Sequence, residues 1–332
     1  RGVDYNLIEF TLSRIHYLLS KTMNIDVRIS EVGLRDGLQS IASIMSSHDK
    51  KSWIEGASKA GIPEIEVGSF VSAKLIPQLA DTAELVKFAR DNLPELTVVA
   101  LVPNLRGLEN AMATGVHGVS IPFSMSETHS QNNLRKNHSQ MLDEIKNCLD
   151  CLALADTDER PTFTVGLSTA FGCSMEGEVP EDRVLYFAER LTEMGVDEVA
   201  LSDTTGYGNP AQLKRLIQGI WYHCGKDKLT SVHLHNTRGQ GLANALMAVE
   251  LGIYTIDSSL GGLGGCPFAP GASGNIVTED LVFMLESMGL RTGINLEALI
   301  DLRKIVAQAL PNETLYGFTA EAGLPLNYSP TK

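Results

Sequence analysis

Residues 231–258 read SVHLHNTRGQGLANALMAVELGIYTIDS, and this stretch decides the fold. Ser231–His235 is a short apolar run of strand length, and Gly239–Leu251 carries a helical pattern. Leu251-Gly252-Ile253 places a glycine where a helix ends in the left-handed conformation, and Thr255–Ser258 opens the next strand. Strand, helix, glycine, strand is a βαβ unit, and its two strands must be parallel. The unit recurs on both sides. Further strand candidates are Val27–Glu31, Glu64–Gly68, Thr97–Val102, Gly118–Ile121, Thr162–Leu167 and Glu198–Ser202. Helical patterns lie between them at Asp49–Ala60, Ala73–Asp91, Leu105–Thr114, Ser139–Ala155, Glu181–Met194 and Ala211–His223. The glycine ending repeats at Ala60-Gly61-Ile62, Thr114-Gly115-Val116 and Met194-Gly195-Val196. Eight such units predict an α/β protein with a closed (β/α)8 barrel rather than an open doubly wound sheet. Residues 278–309 read as extra C-terminal helices that close or flank the barrel. The expected organisation is an N-terminal extension over 1–24 outside the core, the barrel over 25–310, and a Pro/Gly-punctuated tail over 311–332 with no assignable role.

At 332 residues, with 43% hydrophobic and 20% charged side chains, the composition is that of a soluble globular protein. A formal net charge of −13 argues against nucleic acid or an anionic membrane as the partner. No apolar run approaches the roughly 20 residues that span a bilayer. The first 22 residues hold Asp4 and Glu9 and no small-residue cleavage site, so no signal peptide is expected, and Met23 directly precedes the first strand. Five cysteines without dense spacing suit a reducing cytoplasm. Cys148 and Cys151 form a C-x-x-C inside a helical pattern with no second pair, which reads as buried helix-face thiols rather than a zinc or redox motif. No G-x-G-x-x-G follows the first strand, so no dinucleotide is expected.

A barrel places its chemistry at the C-terminal ends of its strands. Side chains alternate along a strand, so His233 and His235 share a face and make a ready pair of metal ligands. Asp36 after strand 1 and Asn275 after strand 8 complete an N2O2 set for an octahedral divalent ion such as Mg2+, Mn2+ or Co2+. Arg35 beside Asp36 stays charged and suits a developing enolate or thioester oxygen. Glu31 and Glu66 are expected to point into the barrel, where a carboxylate needs a partner, and a Glu–Arg pair that aims Arg35 is one such arrangement. Cys266, within the glycine-rich run Gly261-Gly262-Leu263-Gly264-Gly265-Cys266-Pro267, is a proton donor or a nucleophile on a loop able to close, or an inert thiol. Asp203 is a base, an orienting group, or a cap on the following turn. His117, His129, His138 and His223 fall in surface-like contexts.

Glu31–Gln39, Glu66–Ser72, His233-Leu234-His235-Asn236-Thr237, and Gly262–Pro267 through Gly271–Asn275 together resemble the 3-hydroxy-3-methylglutaryl-CoA lyase family, over about residues 25–308. The family belongs to the metal-dependent TIM barrels that include the isopropylmalate and homocitrate synthases. The Cys266 loop is the most specific part, because those synthases lack it. The resemblance implies Mg2+ or Mn2+ on Asp36, His233, His235 and Asn275, and cleavage of an acyl-CoA to acetyl-CoA and acetoacetate, as in leucine degradation and ketone-body formation. It implies Asp203 or His233 as the base, Arg35 on the enolate oxygen, Cys266 as proton donor and Glu66 as the group that holds Arg35. Gln39, Ser69 and Asn104 are the expected contacts to the CoA thioester. A homodimer goes with the resemblance, and a cytoplasmic location with the cysteine usage.

Departures from the family pattern are Ser40-Ile41 after Gln39, Gly172-Cys173-Ser174-Met175-Glu176-Gly177, the segment 122–136, and Ser202 where a glycine commonly precedes the aspartate. They leave the reaction class in place and open the choice of acyl-CoA, citramalyl-CoA among them. A Claisen-type synthase and a pyruvate aldolase are the competing activities. A binding barrel without catalysis would be expected to lack a ligand or Arg35.

Overall fold

The computed structural model describes residues 25–156, 160–264 and 274–329. Strands β1 (Arg28–Glu31), β2 (Glu64–Ser69), β3 (Thr97–Leu101), β4 (Gly118–Ser124), β5 (Thr162–Ser168), β6 (Glu198–Ser202), β7 (Ser231–His233) and β8 (Thr255–Ser258) form a closed barrel in chain order. Every neighbouring pair is parallel, and β8 returns to β1 through pairs such as Ile29 with Ile256. The expected (β/α)8 barrel is therefore the observed fold.

The strands alternate in the way that puts a helical layer outside and a site inside. On β5, Phe163, Val165 and Leu167 are fully buried in the apolar layer, while Thr164, Gly166 and Ser168 between them are partly accessible. That layer packs against helices α1 (Ser47–Lys59), α2 (Thr82–Asn92), α3 (Leu105–Met112), α4 (Glu127–Leu134), α5 (His138–Leu152), α6 (Glu181–Met194), α7 (Pro210–Cys224) and α8 (Gly241–Leu251). Gly195 and Gly252 end α6 and α8 in the left-handed region, with φ of 97° and 105°, which a side chain would resist.

The structure differs from the sequence expectation in several places. The helix expected over Ala73–Asp91 begins only at Thr82, because Pro77 opens a separate 3-10 turn, Pro77–Leu79. Residues 278–309 form two helices, α9 (Thr278–Ser287) and α10 (Leu296–Ala309), with Gly289 and Gly293 at positive φ between them. Helix α4 is an addition to the predicted set. It starts at the cap Ser126, whose side chain accepts from the His129 amide.

The C-terminal segment, which carries a short helix α11 (Thr319–Ala322), folds back onto the loop after β8. Tyr316 N donates to the Gly261 carbonyl at 2.6 Å, Arg303 Nη1 to the Tyr316 carbonyl at 2.6 Å, and the amides of Phe318 and Thr319 to Asp280.

Candidate active site

The site begins in a single tight turn. After β1 the chain winds through a π-helical turn, Gly33–Gly37, and presents Arg35 and Asp36 on the barrel axis. Gly33 is required there, since a Cβ would fall 2.6 Å from Glu31 Oε1 and 2.7 Å from the Trp53 ring. Glu31 anchors this turn. Its Oε1 accepts from the amides of Gly33 and Leu260, both at 2.9 Å, and its Oε2 from Thr278 Oγ1 at 2.6 Å. Burial pushes Glu31 up to about 7 against those three donors. Glu31 thus ties β1 to the β8 loop and to α9. Of the two glutamates expected in the barrel, Glu66 makes the pair with Arg35 and Glu31 does not.

Arg35 donates from Nε to Glu66 Oε2 and from Nη1 to Asp36 Oδ1, both as short contacts. Glu66 in turn accepts from Ser120 Oγ at 3.0 Å. Burial opposes the charge on Arg35, but Glu66 and Asp36 outweigh it and keep the guanidinium protonated. Burial likewise works against Asp36, yet Arg35 and the two imidazoles hold its carboxyl well below the usual range.

Strand β7 stops at His233, one turn of pleat earlier than expected, and His235 instead bridges Asn275 in antiparallel fashion. The two rings still converge. His233 Nε2 lies 3.1 Å from His235 Nε2, and Asp36 Oδ2 lies 3.8 Å and 3.6 Å from these two atoms. His233 Nδ1 bonds Asp257 Oδ2 at 3.0 Å. A carboxylate only accepts, so Nδ1 carries the proton there and a neutral ring turns its Nε2 lone pair toward His235. Burial would lower His233, but Asp257 and Asp36 outweigh it and raise its pKa.

A divalent ion fits these residues. Two ring nitrogens and an anionic oxygen lie within 4.8 Å of one another. Asn275 Nδ2 donates to Asp36 Oδ2 at 2.8 Å, while Asn275 Oδ1 is buried without any hydrogen-bond partner. A cation gives that orphaned oxygen the partner it lacks.

The other predicted residues are placed as follows. Gln39 Nε2 reaches Asp36 Oδ1 at 3.4 Å and so lies at the site's edge. Asp203 is buried, with its oxygens accepting from the Tyr207 and Gly208 amides at 2.9 Å and 3.0 Å, which is the turn-capping arrangement. Burial raises its pKa, offset by those two amides. Asn104 caps α3 by accepting from Gly107 N at 3.0 Å. Ser69 is 1% exposed and accepts from Val71 N, so it braces the end of β2. Cys266 and the rest of 265–273 lie outside the described residues. Burial pushes the Cys148 thiol up to about 12, which suits an inert helix-face position.

Two residues escaped the sequence reading. Asp257, which fixes the His233 ring, could have been found as the lone acid on an inward position of β8. Ser120 carries no such signal. Two histidines read as surface residues are not: His129 is buried with Nδ1 3.0 Å from Ser124 Oγ, and His138 bonds the Ser124 carbonyl through Nε2 and stacks on Phe123. Among the described residues no helix is long and apolar enough to cross a membrane.

A parallel eight-stranded barrel that gathers a carboxylate, two imidazoles and a clamped arginine at its strand ends has the build of a barrel enzyme with a site that suits a divalent ion. The HMGL-like family model matches residues 26–306, and the chain belongs to that family and is a carbon–carbon lyase. It is 40% identical to hydroxymethylglutaryl-CoA lyase YngG of Bacillus subtilis over 88% of the chain and 97% of that protein. It is 39% identical to the human mitochondrial hydroxymethylglutaryl-CoA lyase over 87% of each. Among solved structures, the B. subtilis HMG-CoA lyase superposes with a TM-score of 0.83 at 39% identity, covering 89% of this chain and 97% of that one. An HMG-CoA lyase from Acinetobacter baumannii, in complex with coenzyme A and 3-methylmalate, gives 0.83 at 37% identity, covering 92% and 98%. The carboxyl transferase domain of Rhizobium etli pyruvate carboxylase, at 18% identity and a TM-score of 0.67, shares the barrel alone.

Proposed function

We propose that the chain cleaves 3-hydroxy-3-methylglutaryl-CoA to acetyl-CoA and acetoacetate with the help of Mg2+ or Mn2+. The observation that carries this is the convergence of Asp36, His233 and His235 next to Arg35, in a chain about two-fifths identical to lyases of that name. Coenzyme A in the A. baumannii relative supports a CoA thioester as the substrate. Asp36, His233, His235 and Asn275 would hold the ion, which supplies Lewis-acid polarisation and a template for the substrate's oxygens.

The remaining work falls to the chain's own groups. Asp203 takes the proton of the C3 hydroxyl. It is the better of the two candidate bases, because His233 would be taken up by the ion and Asp257, whereas burial raises Asp203 and each of its oxygens keeps a lone pair beyond the amide it accepts. As the C3–O–H proton leaves, C3 becomes the ketone of acetoacetate and the C2–C3 electron pair passes into the thioester enolate. Arg35, aimed by Glu66, faces the growing charge on the enolate oxygen. Cys266 returns a proton to C2. Gln39 and Asn104 are kept as contacts for the thioester.

The test is acetoacetate release from 3-hydroxy-3-methylglutaryl-CoA by metal-stripped protein, with and without added Mg2+ or Mn2+. Release that depends on added metal is expected. Protein that binds the metal and releases nothing would exclude this substrate and favour a related hydroxyacyl thioester, for which the altered segments 122–136 and 172–177 speak.

A further inference from the structure

A (β/α)8 barrel normally fills its axis with bulky branched side chains. This one does not between β4 and β6. The register pairs Pro122 with Gly166 and Gly166 with Ala200, and Ser124 with Ser168 one step higher. Phe163, Val165, Leu167, Val199 and Leu201 take the alternate, fully buried positions toward the helices, so the inward row here is Pro122, Gly166, Ser168, Ala200 and Ser202. All five are partly accessible although they line the inside of a closed barrel. A Cβ built on Gly166 would meet only Ser202 Oγ at 3.8 Å and the Ile121 carbonyl at 3.9 Å, ordinary contact distances that leave room for a side chain where this chain has none.

The recess adjoins the reacting groups. Ser202 pairs with His233 across β6 and β7, and so stands on the same inward face beside that imidazole. Ser120, two residues before Pro122, bonds Glu66, which holds Arg35.

Building on the lyase reading above, we propose that Gly166 and Ser202 open a side pocket for the substituent on the substrate's C3 carbon, and that this pocket admits groups larger than methyl. Gly166 supplies the volume. Pro122 and Ala200 give apolar walls, and Ser168 and Ser202 give hydroxyls at the rim. Such a pocket would let the same bond cleavage act on a 3-hydroxy-3-ethylglutaryl thioester, giving acetyl-CoA and 3-oxopentanoate. A valine at 166 suits a strand, and its Cβ meets only ordinary contact distances, so the substitution puts bulk into the recess from a position the backbone accepts.

The experiment compares kcat/KM for 3-hydroxy-3-ethylglutaryl-CoA and 3-hydroxy-3-methylglutaryl-CoA in the metal-loaded wild type, Gly166→Ala and Gly166→Val, with thermal melts as a folding control. The ratio of the two constants is the readout, because a general loss of stability lowers both together. The wild type should process the ethyl compound within about tenfold of the methyl one, since one methylene in an apolar pocket is worth about tenfold or more. Gly166→Val should lower the ethyl-to-methyl ratio by about tenfold or more, and Gly166→Ala by less in the same direction. A wild type that rejects the ethyl compound by more than about a hundredfold overturns the pocket. So does an unchanged ratio in Gly166→Val that melts like wild type, and, should that variant not fold, an unchanged ratio in Gly166→Ala. Cleavage of neither thioester would remove the lyase reading itself and the pocket with it, whereas cleavage of the methyl compound alone removes only the pocket.

Discussion

The two ends of the barrel axis are built from the same kinds of side chain and use them in opposite ways. At the floor, where the strands begin, Arg28 pairs with Glu64 at 3.0 Å and donates to Thr97 Oγ1 at 3.0 Å. Glu198 accepts from Thr164 Oγ1 at 3.1 Å and from Thr230 Oγ1. These charges close on protein partners, and among the described residues of this end the neutral hydroxyl of Tyr254 is buried without one. At the mouth, Asn275 Oδ1 is buried and unpartnered, and the Nε2 atoms of His233 and His235 face each other beside Asp36. A polar cluster that satisfies itself is structural. One that leaves a buried acceptor without a partner beside converging ligand atoms needs something from outside to complete it. This difference, more than the count of charges, marks the mouth as the site.

The largest expected effect breaks the mouth. His235→Ala removes one converging nitrogen while leaving the barrel strands intact, because His235 lies beyond the last residue of β7. Metal-dependent thioester cleavage should fall by about a thousandfold or more, with a melting temperature within a few degrees of wild type. A variant that retains most of the activity would show that the convergence is incidental.

The next effect sits between the two ends, at Glu31. Its carboxyl is raised from the ordinary 4.5 to about 7 by burial, so the folded state holds a proton that the unfolded chain has released. Between these values the native state binds more protons than the unfolded one, and stability therefore falls as pH rises through that window. The loss should reach about 3 kcal/mol at most. Glu31→Gln, whose carbonyl oxygen can still accept from the two amides while its NH2 group donates to a Thr278 hydroxyl that now accepts, should flatten this pH dependence. Denaturant melts at pH 5 and pH 8 measure it, and an identical slope in the variant would show that Glu31 is not the titrating group.

The smallest effect tests the floor. Arg28→Met leaves Glu64 unpaired near the bottom of the barrel and should cost about 1 to 3 kcal/mol of stability. Its kcat/KM for the thioester should stay at the wild-type value. A fall in kcat/KM without a fall in stability would show that the floor communicates with the mouth.

Much of the fold was legible because a βαβ unit is a local pattern. Apolar runs of four to six residues, each followed by a helix and often by a glycine such as Gly195 or Gly252, mark every strand of the barrel. The ligand residues were legible because histidines two apart and an Arg-Asp pair after the first strand are rare at strand ends. What was not legible depended on contacts far apart in the chain. Asp257 matters only because it meets His233, 24 residues away. Glu31 looked like a partner for Arg35, yet Thr278, 247 residues away, and Leu260 claim it. His129 and His138 stand among polar neighbours in sequence, and only the folding of α4 and α5 over Ser124 buries one and pins the other.

The sequence by itself determined the eight repeated units, their parallel order and the residue types gathered at the strand ends, because periodicity and turn chemistry act over a few residues. Only the tertiary structure decided which carboxylate holds Arg35, which acceptors are left without partners, and where the barrel axis is open rather than filled. Those are properties of distance between residues on different strands. Closure of the barrel sets them, and no local pattern encodes it.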